Sequence, residues 1–282
     1  MKPLSIIILC LFFFSCKEKK ADNDWGKMDL HGKVKMLVEK DYVLDTTGEN
    51  KGKHLRWTKI YVFNTHGQVT DRAQLNEKGE PVFKFINTYD AAGRLKEEKA
   101  VEDPQKHVTS YQYDTIKRTT LKSNSFEIQS DDAKRRIKYT VVTLSQFNLK
   151  GILLSEKNWM MDDPSDTSIE KFSYNKKQYK NKSVLKNSDL EQTTVYSYDD
   201  HGNCISEVAD TALPHRAIRT IRKFDEKDNL IEEISYEADG SIHSQKKMEY
   251  RSFDKAGNWL VQYIHWKDLG TTVIERSIEY YP

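Results

Sequence analysis

Short stretches in which apolar and polar positions alternate fill most of the chain, and turn-forming residues break them at regular intervals. Alternation with period two predicts strands with one shielded and one wet face. Tyr61/Phe63, Tyr111/Tyr113, Phe172/Tyr174 and Tyr196/Tyr198 each place two aromatics on one such face. The interruptions repeat a phrase. Tyr89-Asp90-Ala91-Ala92-Gly93-Arg94-Leu95 returns as Tyr198-Asp199-Asp200-His201-Gly202-Asn203-Cys204 and as Phe253-Asp254-Lys255-Ala256-Gly257-Asn258-Trp259, with looser copies from Phe63, Phe147, Tyr174 and Phe224. Asp or Asn opens a type I turn by bonding its own backbone, and Gly three residues later supplies a left-handed residue. Asp90, Gly93, Asp199, Gly202, Asp254 and Gly257 are therefore assigned a structural role in turns. Asp228 stands where Gly is missing, and Asp tolerates that conformation.

The leading aromatics lie 24 to 34 residues apart, and a second turn falls midway in several units, as at Asn76-Glu77-Lys78-Gly79. Each unit is two strands and two turns, and a period of this size marks a repeat architecture. The expected fold is all-β: antiparallel hairpin repeats forming an elongated or curled single sheet with a free edge, capped by the strand from Thr272 to Tyr281. The pattern decays between 114 and 146, which is either a degenerate unit or an insertion. No amphipathic helix is expected after residue 27.

The chain has 282 residues, 37% of them hydrophobic, and a mean hydropathy of −0.77. That is lean for a two-layer core and suits a thin sheet with an aromatic face. Charged residues reach 31% while the net charge is only +2, so the charges read as solvated strand faces, and no basic field argues for nucleic acid.

Residues 1–16 differ from everything that follows. Lys2 precedes an apolar run from Leu4 to Ser15, too short to span a bilayer as a helix and ending at Cys16. The segment resembles a bacterial lipoprotein signal, which implies acylation of Cys16 and anchoring in a membrane. Residues 17–26 read as a flexible tether and 27–282 as the repeat domain. The resemblance implies an outer membrane lipoprotein of the cell envelope, facing periplasm or exterior.

Little in the composition points to catalysis. Cys204 stands alone once the signal is removed, the eight His show no zinc spacing, and the turn Asp residues are already explained. No metal, cofactor or catalytic residue is assigned. Trp57, Trp159, Trp259 and Trp266 are held as candidate binding aromatics, because Trp on a sheet can stack on sugars or peptides.

The Tyr-Asp-x-x-Gly-Arg-Leu phrase resembles the YD repeat of RHS proteins, and its weaker copies carry the likeness over residues 57–282. Gly32-Lys33-Val34-Lys35 and Asp254-Lys255-Ala256-Gly257-Asn258-Trp259 are similar to RHS-repeat lipoproteins of Bacteroidota. The resemblance implies a scaffold. It does not imply a toxin shell, because Asp103-Pro104 and Asp163-Pro164 lack the Gly of the self-cleavage region and the units are few. The functional expectation is a non-enzymatic, membrane-anchored scaffold or binding module for a protein or a glycan. The alternative is an envelope hydrolase whose site is dispersed in sequence.

Overall fold

The computed structural model describes residues 23–45, 51–101, 106–129, 136–210 and 218–282. The signal segment, Cys16 and most of the tether lie outside them. A four-residue helix α1 (Asp24–Lys27) precedes β1 (Val34–Asp45), β2 (Gly52–Phe63), β3 (Val69–Leu75), β4 (Pro81–Tyr89), β5 (Leu95–Ala100) and β6 (Val108–Asp114). Then come β7 (Thr119–Gln129), β8 (Arg136–Phe147), β9 (Leu153–Met160), β10 (Asp163–Tyr174), β11 (Lys180–Lys186) and β12 (Glu191–Tyr198). The chain ends with β13 (Cys204–Ala209), β14 (Arg219–Phe224), β15 (Leu230–Tyr236), β16 (Ile242–Phe253), β17 (Trp259–Trp266) and β18 (Gly270–Tyr280).

Every strand pairs antiparallel with the strand before and after it, and β1 also pairs with β18. The result is a closed 18-stranded up-and-down barrel. This corrects the expected open, elongated or curled sheet. The β1–β18 ladder runs from Met36↔Glu279 to Leu44↔Thr271, so the final strand is a wall member rather than a cap. Strand twist accumulates across a long meander and brings its ends together, and closure satisfies the backbone groups that free edges would leave unpaired. The region of decayed pattern is also wall. β7 and β8 pair from Thr119↔Gln146 to Gln129↔Arg136, and Arg118 takes the left-handed place (φ 55°) that Gly holds elsewhere.

The turn phrase defines one rim. Gly93, Gly202 and Gly257 have φ of 74°, 86° and 91°, and Asp228 has 64°. The acidic residue accepts two backbone N–H groups: Asp90 Oδ1 from Ala92 (3.0 Å) and Arg94 (2.8 Å), Asp254 Oδ1 from Ala256 and Asn258 (both 2.9 Å). These bonds, first that of the Arg94 backbone and then its guanidinium, hold the Asp90 carboxyl below its ordinary pKa. The chain enters and leaves the barrel at this rim.

Inner and outer faces separate by alternation. On β4, Phe83, Phe85, Asn87 and Tyr89 are shielded while Val82, Lys84, Ile86 and Thr88 are exposed; on β10, Ser168, Glu170, Phe172 and Tyr174 are shielded while Ile169, Lys171 and Ser173 are exposed. The main contacts of each strand are with its two sheet neighbours. The wall is one layer thick around a lumen, as expected at this strand number. The compact apolar cluster (Leu30, Val34, Leu37, Phe63 and Val69) sits at the turn-phrase rim, where Trp25, Met28, Tyr61, Ile278 and Tyr280 pack on it.

Candidate functional site in the barrel lumen

Following the register from strand to strand places charged and aromatic side chains together on the inner wall. At the seam, the Arg276 guanidinium bridges Glu39 (2.9 Å) and lies 3.4 Å from the Trp259 ring centroid. Arg276 is 8% exposed and Glu39 15%. Burial pulls the Arg276 pKa below its ordinary value, and the Glu39 carboxylate opposes that. Tyr250 completes the group, its ring edge-on to Trp259 at 5.7 Å.

A second group runs across β13–β17. Arg222 donates to Glu207 (2.9 Å) and Glu233 (2.8 Å), and Lys246 reaches Glu233 (2.7 Å) while lying 5.4 Å from the Trp266 centroid. Burial disfavours the Arg222 charge, yet Glu207 and Glu233 hold its pKa above the usual value. A third group lies on β3–β6. Arg72 bridges Glu98 (2.9 Å) and covers Phe85 (4.4 Å), which packs against Phe83 and His107. The pattern is the same in each group: a cation covers a ring and is neutralised by a carboxylate one or two strands away. Such pairs replace the apolar core that a one-layer wall lacks. They leave a polar, nearly charge-balanced surface around the lumen.

Of the four tryptophans singled out in the sequence, Trp259 and Trp266 belong to these inner groups. Trp57 lies on the same face, opposite Asp41. Trp159 pairs with Val142 on the outer face, where Lys157 lies 5.6 Å from its ring. Asp90, Asp199 and Asp254 are spread around the rim and do not converge. Cys204 is buried at the start of β13 with its Sγ 3.6 Å from the Ser206 carbonyl. His201 Nδ1 lies 2.9 Å from Asp228 Oδ1, a contact between neighbouring turns. Among the described residues no three His, Cys, Asp or Glu side chains gather as metal ligands.

Sequence reading passes over two sets of residues. Asn203 and Asn258 are 1% and 2% exposed. Asn203 donates to Asp199 (2.9 Å) and to Asp228 of the next turn (2.8 Å), and Asn258 to Tyr280 (2.7 Å). The recurring Gly-Asn pair was the available signal. The inner arginines carried none, because their partners lie on other strands.

The outer face carries Lys84, Lys99, Lys171, Lys182, Lys247 and Glu249 as exposed residues. The strands β5, β13 and β14 have six residues each, roughly 20 Å of strand at ~3.3 Å per residue. Exposed Val82, Ile86, Ile169, Val195 and Val208 share the outer face, so among the described residues the outer wall mixes charged and apolar side chains, whereas a lipid-facing barrel wall carries a continuous apolar band about 25 Å tall. No described helix is long and apolar enough to cross a membrane.

No protein-family model matches the chain, and no curated protein matches it. Among solved structures it is similar to a porin-like protein from Bacteroides uniformis, at 11% identity over 87% of this chain and 96% of that one, with a TM-score of 0.47. It is also similar to TcdB2-TccC3-TEV, at 14% identity over 82% of this chain and 15% of that one (TM-score 0.33). A third likeness is to TcdB2-TccC3 without its hypervariable C-terminal region, at 11% identity over 84% of this chain and 19% of that one (TM-score 0.31). The chain thus spans less than a fifth of either of the last two. With every TM-score below 0.5, none of these likenesses bears on what the chain does.

Proposed function

We propose that this protein is a non-enzymatic binding module of the bacterial cell envelope, tethered through lipid on Cys16, and that its binding surface is the lumen wall. Closure carries the reading. A barrel has no edge to which an extended partner could add as a strand, so the large concave surface left for a ligand is the inside. The wall there alternates rings with neutralised guanidinium–carboxylate pairs. It offers many hydrogen-bond donors and acceptors and little net field, which fits a hydroxyl-rich, uncharged chain better than a polyelectrolyte. A glycan strand is the ligand of that chemistry. Trp259, Trp266 and Phe85 each have one face covered by a cation, so at these rings hydrogen bonding contributes more than stacking.

The tether sets orientation. Residues 17–22 link Cys16 to the rim, and at ~3.6 Å per residue they reach at most about 25 Å. The turn-phrase rim therefore faces the membrane and the opposite rim faces away from it.

The test is titration of envelope oligosaccharides against the intact protein, an inner-wall variant (Trp57→Ala with Glu170→Gln) and an outer-wall control (Lys171→Ala). Binding that is lost only in the inner-wall variant supports the reading. No binding to the intact protein, or equal loss in the control, overturns it.

A further inference from the structure

We infer that residues 23–31 form a latch that spans the closing seam of the barrel and covers the inner wall at the membrane-side mouth. The inference is independent of what the lumen binds. The segment grips the barrel on both sides of the β1–β18 ladder. On one side it holds the turn between β2 and β3. The Asp24 N–H donates to the Gly67 carbonyl (2.9 Å), Asp24 Oδ2 accepts the Val69 N–H (2.8 Å), and Asn23 Nδ2 donates to the His66 carbonyl (2.9 Å). On the other side it holds the turn between β16 and β17. The His31 N–H donates to Asn258 Oδ1 (2.7 Å), and Asn258 Nδ2 donates back to the His31 carbonyl (2.9 Å). This two-way exchange makes the Asn258 amide a clasp for one backbone unit.

Between the grips the segment turns its apolar residues to the wall. Trp25, Met28 and Leu30 pack with Leu37, Tyr61, Phe63 and Ile278. The register puts these last four on the inner face, since Leu37 pairs with Tyr61 and Ile278, and Phe63 follows Tyr61 by two. Trp25 Nε1 donates to the Val34 carbonyl (2.8 Å), and its ring lies 6.4 Å from that of Phe63. The fit leaves no slack: a Cβ at Gly67 would run into Asn23 and Trp25, and one at Gly32 would press on Tyr280.

The segment that secures the seam is thus also the one that leads to the tether. Two or three grips at each end are few enough to release while the rest of the ladder stays paired. Release would uncover the inner wall at that mouth and leave β1 and β18 held by their ladder alone.

Cysteine labelling tests this in the mature chain with Cys204→Ala. A reporter at Ile278→Cys lies under the latch, and one at Ser244→Cys lies on the inner wall toward the other rim. Asp24→Ala with Trp25→Ala removes one grip, Asn258→Ala the other, and Gly67→Ala wedges the segment off. The expected result is at least a tenfold faster maleimide reaction at position 278 in each variant, with no change at 244. An unchanged rate at 278 overturns the latch. An equal rise at both reporters also overturns it, because the substitutions would then be loosening the whole barrel.

Discussion

The Tyr198 hydroxyl donates to the Lys180 carbonyl at 2.6 Å, tying the end of β12 to the first residue of β11. Tyr89 makes the same bond to Val69 (2.7 Å), Tyr113 to Leu95 (2.8 Å) and Tyr174 to Leu153 (2.7 Å). The aromatic of the turn phrase is therefore a lock between hairpins as well as an inward ring. Replacing it with Phe keeps the ring and leaves a shielded carbonyl without its donor, a loss of about 1 kcal/mol. Tyr198→Phe is expected to lower the urea midpoint, whereas Tyr42→Phe, on the outer face, is expected to leave it in place.

Alkali should loosen the same structure. Burial, then Asp24, raises the Tyr89 pKa to about 12; burial, then Glu98, does so for Tyr111; burial, then Asp254, for Tyr280. A phenol that ionises later in the folded state binds more protons there than in the unfolded chain. Stability is then whole below pH ~10 and falls as pH rises toward 12. Urea midpoints at pH 9 and pH 11.5 read the difference, and Tyr111→Phe is expected to shrink it.

Two glycines separate strain from collision. Gly202 and Gly240 have φ of 86° and 83°, but a Cβ at Gly202 would collide with the Tyr179 hydroxyl, while nothing lies within 4 Å of one at Gly240. Gly240→Ala is expected to cost about 1 kcal/mol for backbone strain alone. Gly202→Ala is expected to cost ~2–3 kcal/mol, because the collision adds to the strain. Equal midpoints for the two variants would contradict the packing of Tyr179 against the turn.

Buried and exposed ion pairs should behave differently. Glu39→Gln leaves the shielded Arg276 charge uncompensated, and breaking such a pair costs about 3–5 kcal/mol. Glu279→Gln breaks the Lys35 pair, in which both partners are about half exposed, and solvent screening leaves such a surface pair little effect on stability. Denaturant midpoints of the two single variants check the ranking.

The proposed lipid tether is tested at Cys16. Cys16→Ala is expected to release the protein from membranes or to leave it unprocessed, because stable anchoring takes two hydrophobic signals and an acylated Cys provides them. Fractionation after an alkaline wash reads it; a variant that pellets normally would rule the lipid tether out.

Strands, turns and period were legible because their determinants are local: Asp90 and Gly93 act within five residues. Closure was not, because nothing in β1 or β18 alone records that Glu39 and Arg276 face each other from opposite ends of the chain. The inner wall was half legible. Trp259 and Trp266 stand seven residues apart on one strand, so strict alternation sets them on opposite faces, and it could not say that Arg276 and Lys246 would cover both from the lumen side. Trp159 fell on the outside because bulges at the turn rim reset the alternation from strand to strand. The latch was hidden in a polar stretch around Trp25 whose anchors, Gly67 and Asn258, lie far along the chain.

Of the eighteen strand pairings among the described residues, only that of β1 with β18 joins strands distant in sequence. During synthesis each hairpin can form as it emerges, yet β1 has to wait with one side unpaired until the last strand is made. Bringing the ends together then costs about 5 kcal/mol of chain entropy from loop length alone. Until that step the growing meander presents two sticky borders, so the time spent before ring completion is when this protein is most exposed to misassembly with its own copies.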